Sequence, residues 1–133
     1  MKLTSLRIIT KDIKQSVQFY EKAMQFTAQW YTEDFAELTT SSITIAIGST
    51  RTMKMFRGEL PTESKGYTST IIEFLVDDVD SEYEKVKSLT DQIVQEPTTM
   101  PWGNRSLLFR DPDGNLINFF TPISSEAIQK FSR

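Results

Sequence analysis

Apolar residues alternate with polar ones over residues 3–10, which predicts a β-strand. The period then changes. Ile13, Val17, Tyr20 and Met24 recur at helical spacing and form one apolar face. Asp12 stands immediately before them with Gln15 three residues on, the pattern of a capping box, in which each side chain takes a free backbone N–H of the other's turn. The helix is expected to stop near Met24-Gln25-Phe26. Residues 28–31, 36–39 and 43–47 predict three short strands, with Glu33-Asp34 and Thr40-Ser41-Ser42 as the turns between them. Residues 51–68 lack either period and read as a connector.

The same succession then returns. Residues 70–76 predict an apolar strand, and Asp78 caps a helix whose face is Val79, Tyr83, Val86 and Leu89. A short strand is expected at 92–94, and a hairpin joins apolar runs at 106–109 and 116–120. In its loop Pro112 presets φ for a type I turn, Asp111 accepts a backbone N–H, and Gly114 takes the φ > 0 position. Subtracting cap position 12 from cap position 78 gives an offset of 66 residues, which also aligns Ile13 with Val79, Val17 with Tyr83 and Tyr20 with Val86. Such internal periodicity is a signal of fold. The expected organisation is α+β: one domain over 1–133 made of two tandem βαβββ modules, 1–50 and 69–123. They are joined by the connector 51–68 and followed by a C-terminal helix at about 124–133, apolar at Ile128 and Phe131.

Composition removes several chemistries. The 133 residues are 38% hydrophobic and 25% charged, ordinary for a soluble globular domain. No apolar run is long enough to span a bilayer, and residues 1–5 lead into a strand without the pattern of a signal peptide, so no membrane partner is expected. A net charge of −3 disfavours nucleic acid, which selects a basic face. There is no cysteine, hence no disulfide framework or thiolate chemistry, and a cytoplasmic setting fits. There is no histidine either, which removes the commonest general base together with the commonest transition-metal ligand. Asp111 and Asp113 resemble a carboxylate pair, but turn chemistry accounts for both.

The closing stretch has a recognisable wording. Pro101, the pair Trp102-Gly103, Arg105, an apolar strand, Asp111-Pro112-Asp113-Gly114-Asn115 and a last apolar strand resemble the final hairpin of the vicinal oxygen chelate superfamily. That superfamily includes glyoxalase I, extradiol dioxygenases, fosfomycin-resistance enzymes and bleomycin-binding proteins. Residues 6–22, which contain Asp12-Ile13-Lys14-Gln15-Ser16-Val17-Gln18-Phe19-Tyr20-Glu21-Lys22, and Val76-Asp77-Asp78 are similar to the same family. The resemblance implies a cupped mixed sheet with helices on its outer face and a cavity on its inner one. In metal-dependent members, His, Glu or Gln ligands come from the first and last strand of each module. Carried onto this chain, those places fall on Ser5, Ile45, Ile71 and Asn118. Two aliphatics, a hydroxyl and an amide offer no charge to offset the desolvation of a metal ion. The family metal site is therefore expected to be missing, with no cofactor in its place.

Strand alternation supplies the remaining candidates. If Ser5 faces the cavity, so does Arg7; if Ile71 does, so does Glu73. These two are again 66 apart and are expected to face each other, as an ion pair or as two arms for a polar ligand. Asn118 and Phe120 share the inner face of the last strand, and Ile43, Ile45 and Ile47 are expected on that of the fourth. Trp30, Tyr31, Phe35, Phe56, Trp102 and Arg105 are candidates for the rim, where an aromatic ring suits a flat or cationic ligand.

The resemblance implies a protein of the bleomycin-resistance branch that binds or sequesters a small aromatic or cationic molecule without a metal and without turnover. Its ligand set is then Arg7, Glu73, Trp102, Arg105, Asn118, Phe120, Phe56 and Trp30. Two alternatives stand beside it: a metal-independent enzyme using Arg7, Glu73 or Arg105, and a structural or regulatory homologue with a filled cavity. The partners expected are a small molecule and a second copy of the chain as a homodimer.

Overall fold

The computed structural model describes residues 2–56 and 70–132. The chain forms two compact units, Met1–Lys65 and Gly66–Arg133.

In the first unit β1 (Ser5–Thr10) leads to α1 (Ile13–Met24), followed by β2 (Gln29–Thr32), β3 (Phe35–Thr39) and β4 (Thr44–Ser49). The sheet order is β1-β4-β3-β2, with β1 parallel to β4 and the other pairs antiparallel. Asp12 caps α1 by accepting the Gln15 N–H at 3.1 Å. The other half of the expected capping box is replaced, because the Asp12 N–H donates to Thr10 Oγ1. The helix ends at Gln25, which adopts a left-handed φ of 58°. Val17 and Tyr20 are fully enclosed. They pack on the face that carries Ile8, Ile45, Ile47, Ala36 and Leu38, all buried. Sealing an apolar helix face against an apolar sheet face is the main stabilising term of such a layer, about 1.5–3 kcal/mol per large side chain.

A 3-10 turn, Thr50–Met55, follows β4. Thr52 Oγ1 donates to the Ser49 carbonyl at 2.7 Å. A Cβ on Gly48 would lie 2.9 Å from that same Oγ1, so the turn closes over a position that only glycine fills without displacement. The rest of the expected connector 51–68 lies, from residue 57 on, outside the described residues.

The second unit repeats the plan. It comprises β5 (Ile71–Leu75), α2 (Val79–Leu89), β6 (Ile93–Thr99), β7 (Asn104–Arg110) and β8 (Leu116–Pro122), in sheet order β5-β8-β7-β6 with β5 and β8 parallel. Asp78 accepts the Asp80 and Ser81 N–H groups as the cap of α2. Phe119 anchors the core beneath this helix, with Phe74 and Phe109 packed edge-on against it. The β7–β8 loop is organised by Asp111. Its Oδ1 accepts from the N–H groups of Asp113 (2.9 Å) and Asn115 (2.8 Å), and its Oδ2 accepts from Asn115 Nδ2. Gly114 sits at φ 89°.

Two features depart from the sequence reading. The strand expected at 92–94 extends to Thr99 and includes Pro97. It is an edge strand whose register shifts between Ile93 and Gln95 and again between Gln95 and Thr98, so the missing proline N–H costs no ladder bond. The C-terminal helix α3 (Ser125–Phe131) forms as expected, capped by Ser124 Oγ. It does not join α2 on the outer face. Phe131 stacks on Phe120, which alternates to the opposite side of β8 from Phe119, with ring centroids 5.0 Å apart.

Candidate functional site

Each sheet has one face under its long helix and one face turned away from it. The second face carries Arg7 and Glu37 in the first unit and Glu73, Asn118 and Ser106 in the second.

In the first unit, Arg7 registers with Ala46, and Ala46 with Glu37. Phe35 is two residues from Glu37 and shares its face. The Arg7 guanidinium lies over the Phe35 ring, 4.7 Å from its centroid, and 5.6 Å from that of Phe56. Tyr31 packs against Phe35 at 6.0 Å. A hydrogen bond to the Glu37 carboxylate raises the pKa of the Tyr31 phenol above its ordinary value. A cation seated on aromatic rings is held by about 0.5–1 kcal/mol at an exposed site, and its N–H fork keeps its donors for other partners.

The register corrects one assignment. Ile45 pairs with Leu6 and Leu38 on the α1 side and is buried there, as is Ile47. Since Arg7 pairs with Ala46 and Glu73 with Asn118, the counterpart of Asn118 in the first unit is Ala46. The places the resemblance assigns to metal ligands are thus Ser5, Ala46, Ile71 and Asn118. Alanine is no better a donor than isoleucine.

In the second unit, Glu73 and Asn118 are direct neighbours on parallel strands. Asn118 Nδ2 donates to Glu73 Oε2 at 2.8 Å. A carboxylate only accepts, so this bond fixes which way the amide points. Its carbonyl oxygen Oδ1 is turned elsewhere and buried, and among the described residues it has no hydrogen-bond partner. Ser106 stands across from Phe120, diagonal to Asn118 on the same face. Its Oγ is also buried and also unpartnered among the described residues. Asn118 is 8% exposed and Ser106 4%.

The other expected site residues are distributed differently. Arg105 registers with Thr121, whose hydroxyl accepts the Val79 N–H at the start of α2. Arg105 therefore lies on the helix side, where Nε and Nη2 donate to the two Asp80 carboxylate oxygens, both at 3.0 Å. This fork holds the Asp80 carboxyl below its usual range and raises the guanidinium in turn. Arg105 braces α2 rather than lining the polar face. Phe120 is on that face, but its ring is covered by Phe131. Trp30 pairs with Ala36 on the α1 side. Trp102 is 64% exposed in the loop before β7. Its neighbour Gly103, at φ 96°, accepts from the Ile123 and Ser124 N–H groups and anchors the start of α3. Arg7 lies in the first unit and Glu73 in the second.

Two residues of these faces were not singled out from the sequence. Glu37 follows from alternation once Phe35 is placed. Ser106 carries no sequence signal, since a serine inside an apolar strand is common.

The matches with known proteins agree with this architecture. Residues 2–119 match the sequence profile of the Glyoxalase/Bleomycin resistance protein/Dioxygenase superfamily. The chain belongs to that superfamily. It is 29% identical over 125 residues to the uncharacterized protein YraH of Bacillus subtilis (strain 168), covering 90% of this chain and 98% of that protein. It is 30% identical over 120 residues to the uncharacterized protein YwbC of the same organism, covering 85% and 91%. Among solved structures, a glyoxalase/bleomycin resistance protein/dioxygenase from Nocardioides superposes with a TM-score of 0.79 at 22% identity, covering 94% of this chain and 85% of that one, a likeness of fold. Two four-stranded mixed sheets with their helices are thus the glyoxalase/bleomycin-resistance fold. No helix among the described residues is long and apolar enough to cross a membrane.

Proposed function

We propose that this protein binds a small organic molecule on the polar face of its sheets and does so without the metal used by other members of its superfamily. The observation that carries this reading is the bond from Asn118 to Glu73. At the place where the resemblance puts a ligating carboxylate on the last strand, this chain has an amide, and its nitrogen is already committed to a neighbouring side chain. The donor sets point the same way. Ser5, Ala46 and Ile71 supply one hydroxyl between them, and among the described residues no three His, Cys, Asp or Glu side chains gather as a group. Neutral oxygens leave the charge of a transition metal uncompensated. What the faces do offer is hydrogen-bond acceptors, an arginine and aromatic rings, the usual means of orienting an organic ligand.

A homodimer is part of the same proposal, since the resembled binding proteins act as pairs of chains; the mass in solution tests it. The binding reading is tested by a thermal-shift screen of cationic and aromatic organic compounds beside Ni²⁺, Zn²⁺ and Mn²⁺. Concentration-dependent stabilisation by organic compounds alone is the expected result. Stabilisation by a divalent ion alone contradicts it.

A further inference from the structure

The buried polar atoms of the second unit specify more than a small organic ligand in general. We propose that the face formed by Glu73, Asn118 and Ser106 recognises a cationic N–H donor, a primary ammonium or an amidinium group. This rests on the small-molecule reading above and names the chemistry of the ligand. Three facts support it. Glu73 provides a carboxylate, which accepts and never donates. Its bond from Asn118 Nδ2 orients the amide so that Oδ1, another acceptor, is buried without a donor among the described residues. Ser106 Oγ, on the same face, is a hydroxyl that can accept as well as donate, and it too is buried without a partner among the described residues. A buried acceptor without a partner is costly and rare in folded proteins. Here two such side chains, both more than nine-tenths buried, share one face with the carboxylate, Asn118 on β8 beside Glu73 and Ser106 on the next strand, β7.

The complement of this set is a group with several N–H donors and a positive charge. An anion would meet the Glu73 carboxylate with like charge. A purely apolar group would leave both orphan atoms as they are. An ammonium has three donors and an amidinium four, enough to reach the carboxylate and at least one orphan oxygen together. Phe120, opposite Ser106, is covered by Phe131, so the closed end of this face lies under α3.

Isothermal titration calorimetry of the full chain tests the assignment with four probes of similar shape: benzylammonium, benzamidine, benzoate and benzyl alcohol. The two cations are expected to bind saturably, about tenfold tighter than benzyl alcohol, with no heat from benzoate. Glu73→Gln is expected to weaken the cations by about tenfold and Ser106→Ala by about threefold, each variant showing the parent's circular dichroism. Glu73 is exposed and Ser106→Ala removes only an oxygen, so both variants are expected to fold. Cations that bind no better than benzyl alcohol, or binding unchanged in both variants, would overturn the assignment. If benzoate or benzyl alcohol alone binds, the charge assignment falls while the small-molecule reading stands. If none of the four binds and Mn²⁺, Ni²⁺ or Zn²⁺ gives a saturable isotherm, both readings fall.

Discussion

Asn118 and Glu73 face each other across the parallel β5–β8 pair, with the amide nitrogen donating to the carboxylate at 2.8 Å. The bond commits the amide nitrogen and exposes the cost of the arrangement, because the amide oxygen is then buried without a donor among the described residues. An uncompensated buried polar atom is a local strain on the fold.

The first prediction follows from that strain. Ser106→Ala removes a buried hydroxyl that has no partner among the described residues and leaves no polar group behind. The variant is expected to be more stable than the parent by about 1 kcal/mol, a rise of about 3 °C in Tm. Thermal and urea denaturation measure it. A clear loss of stability would show that the hydroxyl has a structural partner.

How much of this was legible in the sequence varies with the range of the interaction. Local signals carried well: Asp12 and Asp78 cap their helices, and the Asp111–Gly114 turn forms with the bonds its residues favour. The repeat offset of 66 also survives as matched register, since Arg7 and Glu73 each pair with the last strand of their own unit. What failed was the side of β4. Three isoleucines at alternate positions mark one face, but apolarity does not say whether a helix or a cavity lies beyond it. The covered side took Ile45 and Ile47 and left Ala46 and Gly48 on the polar face. Arg105 misled for a similar reason, as its partner Asp80 is 25 residues away on another element. The length of β6 was hidden by Pro97, which only an irregular edge tolerates.

A second prediction concerns the anchoring of α3. Gly103 has φ 96°, and a Cβ there would lie 2.1 Å from Ser124 Oγ, the cap of the helix. Gly103→Ala therefore meets both backbone strain and a clash, and is expected to cost about 1–3 kcal/mol. Hydrogen exchange should show the loss concentrated in residues 123–132. Uniform protection equal to the parent would contradict the anchoring role.

A third prediction is a pH dependence. Hydrogen bonds from Arg105 and Arg51 lower the pKa of Asp80 and Asp34 below the ordinary 3.8. The folded state therefore favours the ionised carboxyl. Its contribution to stability is complete above pH 3.8, shrinks as pH falls from there, and is gone once pH passes below the folded pKa. Asp80→Asn is expected to flatten the acid limb of a Tm–pH curve while leaving its neutral limb nearly unchanged, since an exposed pair contributes little there. An unaltered acid limb would show that the Arg105 fork has no thermodynamic weight.

One titration tests the proposed metal-free binding directly. Protein stripped with EDTA is titrated with benzamidine in a calorimeter, once with the chelator present and once with Mn²⁺, Ni²⁺ or Zn²⁺ restored. The prediction is saturable binding with the same Kd in every arm. Binding that vanishes with EDTA and returns with a metal would contradict it.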